Sequence, residues 1–113
     1  MKLLVTGATG FLGSALVPLL REAGHEVRVL MRSGAAFPGA ESVKGDVRDP
    51  GSLRRALQGV EGLYHLAGLV SRDPADARKM YELHVDGTRN LLAEAERAGV
   101  GRVVLASSSG TIG

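Results

Sequence analysis

The 113-residue chain has no cysteine and no tryptophan. Without thiols it can form no disulfide framework, no Cys-type zinc site and no cysteine nucleophile. Aromatic residues are scarce: Phe11, Phe37, Tyr64 and Tyr81 are the whole set. They are too few and too scattered for a base-stacking surface, so nucleic acid is not an expected partner. Charge of one sign is not concentrated either. The 14 basic and 12 acidic residues are mixed along the chain and leave a net charge of +2. The isoelectric point of about 9.4 therefore reflects a small excess of arginine, not a basic patch. Long apolar runs are missing as well. Lys2 precedes a mostly apolar stretch, but Gly7, Thr9, Gly10 and Gly13 interrupt it, which argues against a signal peptide. No run approaches the ~18 residues of a membrane span. The expectation is an intracellular, cytoplasmic chain with no membrane partner. What remains is 44% hydrophobic and 23% charged, the balance and length of one globular domain.

Hydrophobic patterning alternates short apolar runs with helical periods. Residues 2–6 form a short apolar strand. From 11 to 23, Leu12, Ala15, Leu16, Leu19 and Ala23 recur at helical spacing, and Gly24 supplies a C-terminal stop. Pro18 falls inside this helix, on the side of Ser14 and Arg21, where a kink is tolerated. A second strand runs over 26–31 and a third over 42–45. A short helix over 49–58 opens with Asp49 as cap and Pro50 in its first turn. Residues 62–67 read as a fourth strand. A long helical pattern over 73–98 carries Met80, Leu83, Gly87, Leu91 and Ala95 on one stripe and ends at Gly99. Residues 102–107 read as a fifth, buried strand. Strands separated by helical segments call for a parallel sheet with right-handed crossovers. The fold class is α/β, and residues 1–113 form one domain.

The loop Gly7-Ala8-Thr9-Gly10-Phe11-Leu12-Gly13 joins the first strand to the first helix. Glycine there permits positive φ and close approach of the backbone to a ligand. The helix that follows directs free N–H groups and its dipole at the same place, which suits a pyrophosphate. The spacing is G-x-x-G-x-x-G, not the G-x-G-x-x-G of the standard dinucleotide fingerprint. A purely structural turn is the alternative, but the strand–turn–helix setting is the one phosphate binding requires. At the end of the second strand stands Leu30-Met31-Arg32-Ser33, with no carboxylate. An acidic residue there pairs with the ribose 2′-hydroxyl of NAD, whereas an arginine accommodates the 2′-phosphate of NADP. Arg32 therefore favours NADP over NAD, its plainer reading being a solvated loop arginine. His25, His65 and His84 share no metal-ligand spacing, and no metal is expected.

These segments, in order, resemble the extended short-chain dehydrogenase/reductase superfamily of the NAD-dependent epimerase/dehydratase type. Within it the likeness is to dihydroflavonol-reductase-like and 3β-hydroxysteroid-dehydrogenase-like members. Thr6-Gly7-Ala8-Thr9-Gly10-Phe11-Leu12-Gly13 is similar to the cofactor loop, and Gly45-Asp46-Val47-Arg48-Asp49 to the segment after the third strand. His65-Leu66-Ala67-Gly68 is similar to the fourth-strand motif on the nicotinamide side. Val85-Asp86-Gly87-Thr88-Arg89-Asn90-Leu91-Leu92 resembles the long-helix motif, and 103–109 the fifth strand with its serine segment. The resemblance implies a Rossmann-type doubly wound sheet of which five strands are present. It implies that Gly7, Gly10 and Gly13, with the Phe11 and Leu12 amides, hold the pyrophosphate. Asp46 would accept the adenine amino group with Val47 against the ring, while Leu66, Ala67 and Gly68 would line the nicotinamide side. A bare turn or cap role is the alternative for Asp46. Ser108, with Ser107 and Ser109 as the alternatives one residue to either side, would polarise the substrate oxygen; ordinary loop and cap serines are the plainer reading.

Two departures from the pattern matter. His84 stands where the family often has asparagine, and a packed, satisfied histidine is its simplest role. The Tyr-x-x-x-Lys pair, the family's acid/base, is absent from this sequence. An unassisted tyrosine titrates near about 10, far from what proton transfer at neutral pH prefers. The resemblance therefore implies the N-terminal cofactor-binding portion of an NAD(P)-dependent oxidoreductase, epimerase or dehydratase, inactive by itself. The intact enzyme would act on a small molecule, a nucleotide sugar, a flavonoid-like ketone or a sterol-like alcohol, and would form a homodimer. A non-catalytic dinucleotide-binding module and a truncated remnant are the alternatives.

Overall fold

Strand side chains alternate between two apolar layers, and this alternation organises the fold. In β1 (Lys2–Thr6), Leu3 and Val5 face one layer and Leu4 the other. In β2 (Glu26–Met31), Val27 and Val29 join Leu3 and Val5, while Leu30 joins Leu4. A strand covered on both faces must be apolar on both, as these are. The computed structural model describes residues 1–8, 11–66, 78 and 85–105. In chain order, β1 is followed by α1 (Phe11–Glu22), β2, β3 (Glu41–Lys44), α2 (Pro50–Ala56) and β4 (Gly62–His65). A further helix, α3 (Gly87–Ala98), then leads into β5 (Arg102–Leu105).

Among the described residues all four strand pairings are parallel, and the strand order is β3-β2-β1-β4-β5. This is the doubly wound arrangement expected from the sequence. α1 covers one face through Val17 and Leu20, packed with Leu3, Val5, Val27 and Val29. α2 and α3 cover the other through Leu53, Ala56, Leu57, Leu91 and Ala95, packed with Leu4, Leu30 and Leu63. The two layers are the core.

Local signals set several boundaries. Asp49 caps α2, its side chain accepting from the Gly51 N–H at 3.1 Å, with Pro50 opening the helix. Gly99 ends α3 in the left-handed conformation at φ 78°, and the Val100 N–H returns to the Ala95 carbonyl at 3.0 Å. Other expectations need correction. α1 turns Gly13, Val17 and Leu20 inward, while Ala15, Leu19 and Ala23 are exposed, Leu19 at 61%. The buried face is rotated about a quarter turn from the expected stripe, because Gly13 has to lie against the turn after β1. Ser14, Pro18 and Arg21 are on the solvent side, as expected. The third strand begins one residue earlier than expected, at Glu41, and the helix after it is shorter, ending at Ala56. β5 reads as a buried strand from its hydropathy alone; as the last strand of the order it is an edge strand with Val103, Val104 and Leu105 exposed. Its hydropathy is that of a central strand, but at the edge of the sheet it is paired on one side only, by β4. Of the helix expected over 73–98, residues 87–98 form α3 and most of the remainder lies outside the described residues.

Two buried charges were not visible in the local pattern. Arg28 of β2 donates from Nη1 to the carbonyls of Ala56 (2.7 Å) and Gln58 (2.9 Å), and from Nε to Glu41 Oε1 (2.9 Å). It satisfies carbonyls at the C-terminal end of α2, where a cation also complements the helix dipole. Glu94 of α3 is buried, with Arg54 donating to both carboxylate oxygens at 3.3 Å and Arg97 forming an ion pair with Oε2 at 3.6 Å. The Arg54 hydrogen bond holds the Glu94 carboxyl below the usual carboxylate range against the opposing effect of burial.

Candidate functional site

In a sheet of this order, ligands bind outside the carboxyl ends of the strands, where the strand order reverses. Here that place is the crevice between β1 and β4. The chain leaves β1 through Gly7, whose φ of 74° is the left-handed conformation that favours glycine. Gly13, in the first turn of α1, lies against the same turn. A Cβ there would stand 2.4 Å from Ala8 Cα and 2.6 Å from the Gly7 carbonyl oxygen. Only a glycine lets α1 start this close to the strand. Gly10 lies outside the described residues, and of Phe11 and Leu12 the helical backbone is described.

Beyond β2 and β3 lies a charged cluster. Arg32 is exposed just after β2. Asp46, two residues after β3, accepts at Oδ1 from the Arg48 N–H (2.9 Å) and Nε (3.1 Å), and at Oδ2 from Nη2 (2.8 Å). Hydrogen bonding by the Arg48 side chain holds the Asp46 carboxyl below its usual range; partial burial opposes this, and the charges of Arg48 and Arg32 add to it. Asp46 is therefore an ionised acceptor at neutral pH. Val47 turns into the core beside Leu4 and Leu30, so its side chain supports the loop from beneath.

The start of α3 fixes that loop. A Cβ on Gly87 would come within 2.6 Å of Val47 Cγ2, and Asn90 Nδ2 donates to the Val47 carbonyl at 3.1 Å. Thr88, between them, reaches the end of β4. Its hydroxyl is 2.9 Å from His65 Nε2, while His65 Nδ1 is 2.6 Å from the Thr6 hydroxyl at the end of β1. His65 is only 4% exposed, and Thr6 and His65 are register partners across the β1–β4 pair. Leu66 donates its N–H to the Thr6 carbonyl at 3.1 Å and buries its side chain on the α1 side. Ala67, Gly68, His84 and Ser108 lie outside the described residues.

Sequence reading thus placed Gly7, Gly13, Arg32 and Asp46 at the carboxyl edge, where they are found. It gave Thr6, Arg48, Thr88 and Asn90 no individual role within their motifs, and it placed His65 in the fourth-strand motif on the nicotinamide side and in no metal set. A polar residue closing each of two apolar strands, Thr6 and His65, was the available signal. Away from this edge, a cleft of about 350 Å³ between the C-terminal ends of α2 and α3 is lined by Arg54, Leu57, Gln58, Glu94, Arg97 and Ala98. Among the described residues no group of His, Asp and Glu could hold a metal ion, and no helix is long and apolar enough to cross a membrane.

Strand order, the glycine turn and the crevice at the order reversal define a doubly wound α/β domain of the Rossmann type. The profile of the NAD dependent epimerase/dehydratase family matches residues 3–113. Sterol demethylase protein B of Methylococcus capsulatus is 48% identical over 100% of this chain and 36% of its own length. A putative dihydroflavonol 4-reductase of Synechocystis is 41% identical over 96% of this chain and 33% of its own. A crystal structure of a short-chain dehydrogenase/reductase superfamily protein from Agrobacterium tumefaciens with bound NAD superposes with a TM-score of 0.85 at 41% identity. That alignment covers 96% of this chain and 33% of the other. The chain belongs to the NAD-dependent epimerase/dehydratase family, in the short-chain dehydrogenase/reductase superfamily. It spans about a third of the length of the curated relatives it matches.

Proposed function

We propose that this chain forms the dinucleotide-binding portion of an NAD(P)-dependent oxidoreductase, epimerase or dehydratase, and that it favours NADP. The observation that carries the reading is the crevice over Thr6, Gly7 and Gly13, where α1 begins against the turn with no room for a side chain at Gly13. Such a turn and helix start suit a pyrophosphate, and the bound NAD of the Agrobacterium neighbour supports a nicotinamide dinucleotide here. When bound, that group supplies hydride exchange with a carbon of a secondary alcohol or ketone. The chain's own residues bind and orient it. Gly7, Gly10 and the amides of Phe11, Leu12 and Gly13 take the pyrophosphate. Asp46 accepts from the adenine amino group, for which Oδ2, receiving one hydrogen bond from Arg48, has a free lone-pair direction. Ala67 and Gly68 border the nicotinamide side, with Leu66 contributing backbone.

NADP preference rests on Arg32, exposed beside the Asp46–Arg48 pair and adding positive charge there. A 2′-phosphate would gain a charge-assisted partner that a 2′-hydroxyl would not. Ser108 is proposed to polarise the oxygen of the substrate, a nucleotide sugar, flavonoid-like ketone or sterol-like alcohol. With no Tyr-x-x-x-Lys in the sequence, the chain alone is proposed to turn nothing over. The second reading is a dinucleotide-binding module without catalysis. Titration with NADPH and NADH, followed by nicotinamide fluorescence, tests the first. NADPH is expected to bind more tightly, and Arg32→Ala to remove the difference; tighter NADH binding by the unaltered chain would refute the Arg32 argument. A longer form carrying Tyr-x-x-x-Lys that reduces a ketone would exclude the second.

A further inference from the structure

We infer that His65 is a positioning residue for the dinucleotide: with Thr6 and Thr88 it braces the two sides of the crevice, so that one ligand can span them. The inference rests on the cofactor reading above. A dinucleotide crosses the point where the strand order reverses, and that point lies between β1 and β4. One half of such a ligand lies over β1 and the loops of β2 and β3, and the other reaches past the end of β4. His65 sits on the seam. Its Nδ1 meets Thr6 immediately before the Gly7 turn, and its Nε2 meets Thr88 in the first turn of α3. The same turn of α3 holds the Asp46–Val47 loop through Asn90 and through the contact of Gly87 with Val47.

The pyrophosphate turn, the adenine-side loop and the end of β4 are therefore tied to one another through a single buried imidazole. Each threonine hydroxyl can donate or accept, so a neutral ring is satisfied at both nitrogens in either tautomer. A buried ring held at both ends is confined in orientation, which suits a spacer whose task is a fixed separation. General solidity of the fold would not need the two nitrogens to reach two different elements at the ligand-binding edge.

The test separates the span from its parts. AMP can bind on the β1–β2–β3 side alone, whereas NADPH and NADH need both sides. Thr88→Val removes one hydrogen bond without changing side-chain shape, Thr88→Ser restores the hydroxyl, and His65→Phe removes both ring bonds. Dinucleotide affinity is read by nicotinamide fluorescence and AMP affinity by calorimetry, well below each variant's unfolding temperature. Thr88→Val is expected to weaken dinucleotide binding about fivefold and His65→Phe tenfold or more, with AMP changed less than twofold and Thr88→Ser near the unaltered chain. Equal losses for AMP and dinucleotide, or unchanged dinucleotide binding in Thr88→Val, would overturn the inference while leaving the cofactor reading in place. Should His65→Phe not fold, the Thr88 pair decides alone. Failure of the unaltered chain to bind AMP or either dinucleotide overturns the cofactor reading and this inference with it.

Discussion

Replacing Gly13 with alanine adds one methyl group at the place where α1 meets the turn after β1. The new Cβ would lie 2.4 Å from Ala8 Cα, 2.6 Å from the Gly7 carbonyl oxygen and 2.9 Å from the Ala8 carbonyl carbon. Ordinary carbon contacts begin near about 3.5 Å, so the start of α1 has to retreat by about 1 Å. The obstructing atoms are backbone, and no rotamer change relieves them. Overpacking of this kind costs about 1–3 kcal/mol. For a domain of this size that corresponds to a fall of about 4–12 °C in Tm. Under the proposed function, retreat of the first turn would also move its amides from the pyrophosphate. Losing one charge-assisted hydrogen bond, about 1.5–3 kcal/mol, would weaken NADPH binding about tenfold to a hundredfold. Gly51→Ala is the control. Its Cβ meets only Asp49 Oδ1, at an ordinary 3.4 Å, and a helical alanine should stabilise by about 0.5–1 kcal/mol. Thermal unfolding followed by circular dichroism, with fluorescence titration of NADPH, checks both. A Gly13→Ala chain as stable as the original, or one that binds NADPH equally well, would refute the close-approach argument.

Arg28→Met leaves the Ala56 and Gln58 carbonyls without their donor and should destabilise by about 2–3 kcal/mol in urea unfolding; Arg28→Lys, which lacks the fork, should recover only part. Leu91→Ala, at a fully buried position of α3, should lose about 2–5 kcal/mol, read as a lower urea midpoint at unchanged slope. Acid should unfold the chain in a manner traceable to three ion pairs. The folded-state pKa of Glu41 is lowered by its hydrogen bond from Arg28, that of Asp46 by the bond from Arg48 and that of Glu94 by the bond from Arg54. A depressed folded-state value gives stability that is present above the unfolded carboxylate range and lost as pH falls through and below it, from about pH 4 downward. Acid titrations followed by circular dichroism should therefore show a shallower loss for Arg48→Gln, and an unchanged profile would show that the pair contributes nothing to pH dependence.

The sequence carried whatever depends on near neighbours. Apolar runs of four to six residues, separated by helical periods, pointed to five strands and a parallel sheet because strands covered on both faces must be apolar on both. Gly7, Gly24 and Gly99 were legible because a turn or helix end in the left-handed region excludes most other residues, and all three have positive φ. Asp49 before Pro50 was legible because a cap acts over two residues. Arg32 could be assigned to the carboxyl edge since it follows directly on a strand, and Asp46 through the likeness of Gly45-Asp46-Val47-Arg48-Asp49 to the family's segment after the third strand. The face of α1 was not legible. Small and apolar residues surround most of its circumference, so the pattern allowed several stripes, and contact of Gly13 with the turn selected one.

Tertiary structure alone decided what depends on distant partners. Thr6 and His65 are separated by 59 residues, and His65 and Thr88 by 23; only the strand order brings them into one line. Arg28 looks like an alternating exposed residue of a strand until the end of α2 arrives 28 residues later to receive its hydrogen bonds. Glu94 looks like a solvated helix position until Arg54 closes over it from 40 residues away. β5 has the hydropathy of a central strand, yet its exposure follows from its place at the edge. Periodicity, caps and turns are properties of a few consecutive residues and their own backbone. Burial of a charge and satisfaction of a histidine at both nitrogens are set by groups distant in the sequence, once the sheet has fixed which strands are neighbours.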